Sequence, residues 1–199
     1  MSYPVPDTPL ELLFEVKKSK FFAFAAYTPD RETAMQYLAG KREQYPDARH
    51  HCWAYLLGNP HSPASAAMSD DGEPSGTAGK PILNVLQHKG VGDITIIVTR
   101  YFGGIKLGAG GLVRAYSSAA QQVMENLTVK EQVTLSKVLV RADFRHEQFV
   151  RHVVNEHQGV VDHCEYANEV TMYIALPAPA ISPLTQLCNG QGIQVTVPE

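Results

Sequence analysis

Cysteine is scarce in this chain. Its three residues, Cys52, Cys164 and Cys188, are odd in number and far apart, which argues against a disulfide framework and against a CxxC metal knuckle. That usage predicts a reducing, cytoplasmic compartment. No run of about 18 apolar residues occurs, so no membrane-spanning helix is expected. The N-terminal MSYPVPDTPLELLFEV has no basic stretch followed by an apolar one, so a secretory signal is not expected either. An excess of positive charge is also missing: the net charge is −3, which argues against a strongly basic nucleic-acid binder. The charge is unevenly placed, however. Residues 1–131 balance 13 Lys/Arg with 13 Asp/Glu, whereas 132–199 carry 4 and 7. Between Asp93 and Glu125 there is no acid at all, and Arg100, Lys106 and Arg114 are the only charges there. Named nucleotide motifs fail as well. A GxGxxG run would need glycine where Val113 stands, and GxxxxGK[ST] around Gly79–Lys80 meets Pro74 at its first glycine and Pro81 after the lysine. HEQFV at 146–150 lacks the second His of HExxH, and no GxSxG elbow occurs, so no catalytic residue, metal or cofactor is nominated.

Hydrophobic residues make up 44% of the chain and charged ones 19%, enough apolar material for each half to bury a core. The pattern reads as α+β. Residues 10–27 read as two strands around a Lys-rich turn. Asp30 is a plausible N-cap for a helix to about Gln44, and HCWAYLLG (51–58) is a short buried strand. From Asn59 to Lys80 periodicity vanishes, which predicts a long functional or irregular loop before a helix opened by Pro81. DITIIVTR (93–100) is the strongest strand, followed by a glycine-rich loop and a helix over about 110–127. After a polar junction near 128–133 the pattern restarts as β-α-β-β-α-β, the order of a ferredoxin-like sandwich, its second helix opened by Ser182–Pro183. The expected domains are therefore 1–131 and 132–199, in a monomer.

Two regions carry candidate chemistry. The first is the glycine loop: Gly103, Gly104, Gly108, Gly110 and Gly111, between a strand and a helix start. Glycine permits positive φ and close backbone approach, and a helix start offers free N–H groups. With Arg100, Lys106 and Arg114, and with Lys80 as a further point charge, this suits a phosphate or other anion. The bland reading is a loop that simply turns tightly. Tyr101, Phe102 and Tyr116 are placed to stack on bases or to pack in the core. The second region joins Arg49 and His50 to Asp70, Asp71, Gly72 and Glu73. The three acids suit Mg²⁺, which favours carboxylates, but Asp-Gly and Glu-Pro are also plain turn signals. His50 and His51, adjacent on a strand, must point to opposite faces and do not readily share one metal.

At these residues the chain resembles a known family. SDDGEPSGTAGKP followed by TRYFGGIKLGAGGLVRAY, with ARHHCWAY before them, is similar to the signature of the IMPACT family in its bacterial branch. The resemblance spans nearly the whole chain. It implies an N-terminal two-layer domain with a ribosomal-protein fold, like domain IV of elongation factor G, and a C-terminal ferredoxin-like domain. Eukaryotic relatives regulate translation by competing for an activator of a stress-sensing kinase, partly through an additional N-terminal domain not present in this sequence. For bacterial members it points to nucleic acid or the ribosome. It supplies no catalytic residues.

Three readings follow. The first is a translation-linked protein that contacts RNA or the ribosome through the glycine loop. The second is a Mg²⁺-dependent hydrolase of a phosphorylated small molecule. The third is an interaction module for a translation factor. An enzyme needs the acidic and glycine loops to enclose one concave pocket, whereas a binder needs an open face lined with Arg and Lys.

Overall fold

The computed structural model describes residues 2–133 and 135–198. The chain divides into two compact units, Tyr3–Gln132 and Val133–Glu199 grouped with Met1–Ser2.

The first unit is built on an antiparallel sheet of five strands, β2 (Leu10–Val16), β3 (Ser19–Tyr27), β4 (His50–Leu57), β5 (Ser65–Ser69) and β6 (Ile94–Tyr101), in the order β2-β3-β6-β4-β5. The helices are α1 (Arg31–Gln44), α2 (Gly79–Lys89) and α3 (Ala109–Asn126). Alternation along the central strands sorts side chains between two faces. Phe21, Ala23, Ala25, Cys52, Ala54, Ile94, Ile96 and Val98 face α2 and α3 and form the main core. Phe24 and Ile97 turn the other way and pack with Leu38 of α1. Because both faces are covered, β6 is buried from Ile94 to Arg100, and its apolar residues do not alternate with exposed ones. The β2–β3 hairpin turns through Lys17 and Lys18, both at positive φ (46° and 63°), which matches the right-handed twist of the strands. Asp30 caps α1 by accepting from the Thr33 N–H at 2.7 Å.

The structure departs from the sequence reading at four places. The stretch 59–80 contains β5. This edge strand is short, made of small residues with Met68, and largely exposed (SAAMS), so it carries no apolar–polar alternation to detect. β1 (Ser2–Pro6) and β7 (Val129–Val133) pair in a two-stranded sheet. The prolines of β1 and the polar character of β7 masked both. Helix α2 starts at Gly79, two residues before Pro81, which is harmless because the N–H missing at Pro81 would have no partner in a first turn. Helix α5, described next, starts at Ala178 rather than Ser182.

The second unit runs β8 (Leu135–Ala142), α4 (Glu147–Glu156), β9 (Val160–Tyr166), β10 (Val170–Pro177), α5 (Ala178–Asn189), β11 (Gln194–Thr196). Its antiparallel sheet has the order β11-β8-β10-β9. Val150, Val153 and Val154 of α4, with Ala180, Leu184 and Cys188 of α5, close one face over Val138, Val140, Met172 and Ile174. The i, i+4, i+8 spacing in α5 carries the helix through Pro183 despite the lost donor.

Candidate functional site

The ladder register sets the site. Arg100 at the end of β6 lies opposite Phe21 on β3 and His50 on β4. All three point to the face that carries α2 and α3. His51 faces the other way, where its Nδ1 lies 2.9 Å from Thr99 Oγ1, and burial lowers its pKa.

Arg100 does not project freely. Its Nη1 donates to Glu73 Oε1 at 2.7 Å, and the side chains are 9% and 4% exposed. Tyr116 of α3 donates its hydroxyl to the same oxygen at 2.8 Å. The Cys52 sulfur lies 3.4 Å from that hydroxyl and 2.9 Å from the Asp70 carbonyl. Burial pushes the Cys52 thiol and the Tyr116 phenol well above their ordinary values, so neither ionises near neutrality. Among the described residues one buried side-chain donor stays unpaired, Arg100 Nε.

The Asp-Gly turn is held from several sides. Asp71 (φ 42°) and Gly72 (φ 86°) form the centre of a turn closed by the Glu73 N–H on Asp70 O. Asp70 reaches forward and accepts from the N–H groups of Gly76, Ala78 and Gly79 at 2.8, 3.0 and 2.9 Å, which caps α2 from a distance. Partial burial raises its pKa, but these donors outweigh that and leave it lowered. Asp71 accepts from Arg42 and from the His51 N–H, each at 2.7 Å. The three acids therefore sit in three separate arrangements, and among the described residues no group of acids, histidines and cysteines is placed to share a metal ion.

Above the Arg100–Glu73 pair opens a cleft of about 640 Å³, lined by the 47–50 connection, Glu73–Pro74, Arg100–Phe102 and the glycine loop from Lys106 into α3. Residues of both candidate regions thus line one cleft. Arg49, His50, Glu73, Arg100, Tyr101, Lys106 and Gly108 line it. Asp70, Asp71, Gly72, Lys80, Gly103, Gly104, Gly110, Gly111 and Arg114 do not. Lys80 is exposed on α2, and Arg114 lies in a smaller groove beside Lys17 and Phe14. Gly104 and Gly108 have positive φ (85° and 72°), whereas Gly110 and Gly111 are ordinary residues of the first turn of α3. Gly103 is required by contact, since a Cβ there would land on the Lys18 carbonyl. Helix α3 begins without a side-chain cap or an acid in its first turn. The Leu112 N–H bonds to Gly108 O, so the amides of the three residues before it remain available. The sequence missed Asp47, Pro74 and Ala109 in the lining. Only the contact between loops far apart in sequence reveals them.

These features define an α+β protein of two units with a donor-rich cleft in the first. The Impact N-terminal domain matches residues 17–124. The IMPACT family member YigZ of Escherichia coli (strain K12) is 37% identical over 91% of this chain and 89% of its own length. The IMPACT family member YvyE of Bacillus subtilis (strain 168) is 35% identical over 88% of this chain and 82% of its own. A crystal structure of a hypothetical protein superposes with a TM-score of 0.79 at 35% identity, covering 100% of this chain and 98% of that one. The chain belongs to the IMPACT family.

Proposed function

We propose that this is a cytoplasmic, translation-linked binding protein whose first unit contacts RNA, free or on the ribosome, around the cleft. On this reading the first unit has the fold of elongation factor G domain IV and the second is ferredoxin-like. One observation carries the RNA assignment. The cleft sets Arg49 and Lys106 beside Phe102, which is 59% exposed, and a smaller groove that shares Leu107 with it adds Lys17 and Arg114. Cations set about an exposed aromatic ring are the elements of sequence-tolerant single-strand binding, with the charges on phosphates and the ring under a base.

The cleft's concavity favours the enzyme reading on one count, because acidic and glycine loops do line one pocket. Its metal set is otherwise engaged: Asp70 on α2, Asp71 on Arg42, and Glu73 on Arg100. A protein partner is the outcome to accept if RNA fails. The test is a salt titration of binding to a labelled single-stranded RNA. Lys106→Glu should weaken binding and reduce the slope of log K against log salt by about 0.7 per lost phosphate contact. Arg114→Glu should do so too if the contact extends past the cleft. Unchanged affinity and slope in the folded Lys106→Glu variant, or no binding by wild type, would overturn the reading.

A further inference from the structure

We propose that the cleft of the first unit is a phosphomonoester site, built for the terminal phosphate of a nucleotide or RNA end rather than for an internal phosphodiester. This deepens the RNA reading and depends on it only for the chain attached to the phosphate.

Two independent observations meet in the cleft. The first is the uncapped start of α3, a helix of 18 residues whose first three amides have no acceptor among the described residues. Such an end attracts anions through its N–H groups and its dipole. Helix α2 lies in the same domain and shows the contrast: its first amides are taken by Asp70. The second is Arg100. It lines the cleft, is more than nine-tenths buried, and while its Nη1 is held by Glu73 its Nε–H has no partner among the described residues. A buried donor left unpaired is costly, and because this atom has almost no surface open to the cleft, an anion takes it as the guanidinium turns toward the ligand.

The donor inventory decides between kinds of phosphate. Arg100, Lys106, Arg49 and the α3 amides offer more N–H groups than two non-bridging oxygens accept, and they suit the three terminal oxygens of a monoester. Asp47 and Glu73 also line the cleft and offset two of the three positive charges. Recognition therefore rests on directed hydrogen bonds more than on net charge. Phe102 stands at the wall with its ring 5.7 Å from the Arg100 guanidinium carbon, and a base attached to the phosphate would stack on its exposed side. A volume of about 640 Å³ holds a nucleotide, not only a phosphate ion.

The experiment compares one short single-stranded RNA with a 5′-phosphate, with a 3′-phosphate and with neither, by anisotropy at fixed salt. Adenosine 5′- and 3′-monophosphate and orthophosphate are then added while backbone amides are followed by NMR. One phosphorylated end should bind roughly tenfold tighter than the unphosphorylated strand. The matching monophosphate should shift the amides of Ala109 to Gly111. Ala109→Asp places a carboxylate at an exposed helix start, where it favours the helix. It should abolish the preference, while Lys80→Ala, outside the cleft, keeps it. Equal binding of all three strands overturns the proposal and leaves RNA binding standing. Binding of a monophosphate at α3 without RNA binding keeps the proposal and removes the RNA reading. If neither strands nor monophosphates bind, both are wrong.

Discussion

Removing Glu73 tests whether the floor of the cleft is a coupled buried pair. Glu73 is the only acceptor Arg100 reaches among the described residues, and it also receives the Tyr116 hydroxyl. Glu73→Ala strands a guanidinium that is 9% exposed. Breaking a buried ion pair from one side costs about 3–5 kcal/mol, because the surviving charge stays desolvated. Folding stabilities of about 5–15 kcal/mol make this a large fraction of the total. Arg100→Leu should cost a similar amount by stranding the carboxylate. If the two losses were independent, Glu73→Ala with Arg100→Leu would cost about 6–10 kcal/mol, but replacing both ions with apolar side chains leaves no buried charge, so the double variant should be far less damaged than that sum. Urea unfolding read from Trp53, the single tryptophan, reports on this unit. A loss under about 1 kcal/mol for Glu73→Ala, or strict additivity in the double variant, would refute a coupled buried pair.

Asp70 predicts an acid-limb effect. Its folded pKa is lowered, so the unfolded chain binds its proton more tightly, and its contribution is present above about pH 4 and lost as the pH falls toward the folded value. Asp70→Asn should flatten the fall of stability between neutral and acid pH, and an unchanged pH profile would count against the cap. Among the glycines, Gly103→Ala should destabilise clearly by displacing the Lys18 backbone, while Gly110→Ala should be neutral or stabilise by up to about 1 kcal/mol, since its Cβ would meet only Arg114 Nη1 at 3.6 Å. Thermal melts of the two variants check the order, and a reversed order would mean that the loop packs differently. A fragment ending at Gln132 should give a dispersed NMR spectrum if the first unit folds alone, and a collapsed spectrum would argue against two separately folding domains.

Regular elements were legible where they bury a periodic face. Strand β6 and helix α3 declare themselves because Ile94, Ile96 and Val98, or Leu112, Tyr116, Ala119 and Val123, repeat at the spacing of the element. Strands β1, β5 and β7 were not legible, since each rests on backbone pairing with little apolar alternation. The site was legible as ingredients but not as an arrangement. Local pattern placed Gly108 before a helix and Arg100 at a strand end. It could not show that Glu73, 27 residues earlier, would take Arg100 Nη1, or that Arg114 would fall beside Lys17. Those pairings depend on loop closure and register, which composition does not encode.

The two long motifs therefore divide their labour. In the acidic motif, Asp70 caps α2, Asp71 anchors the turn against Arg42 and the His51 amide, and Glu73 orients Arg100. In the glycine motif, Gly103 seats the loop against the hairpin, and Gly108 turns the chain so that α3 starts uncapped at the cleft. Most of these residues fix geometry, and on the reading proposed above ligand contact falls to fewer groups: the α3 amides, the Arg100 guanidinium, Lys106, Arg49 and the exposed ring of Phe102. A substitution at Asp70 or Glu73 should then reduce binding together with stability, because it acts through folding. A substitution at Lys106 or Phe102 should reduce binding at unchanged stability, because both side chains are exposed. Phe102→Ala measured by RNA affinity and by urea unfolding separates the two classes. Lost stability with retained affinity would reverse the assignment and make Phe102 a packing residue.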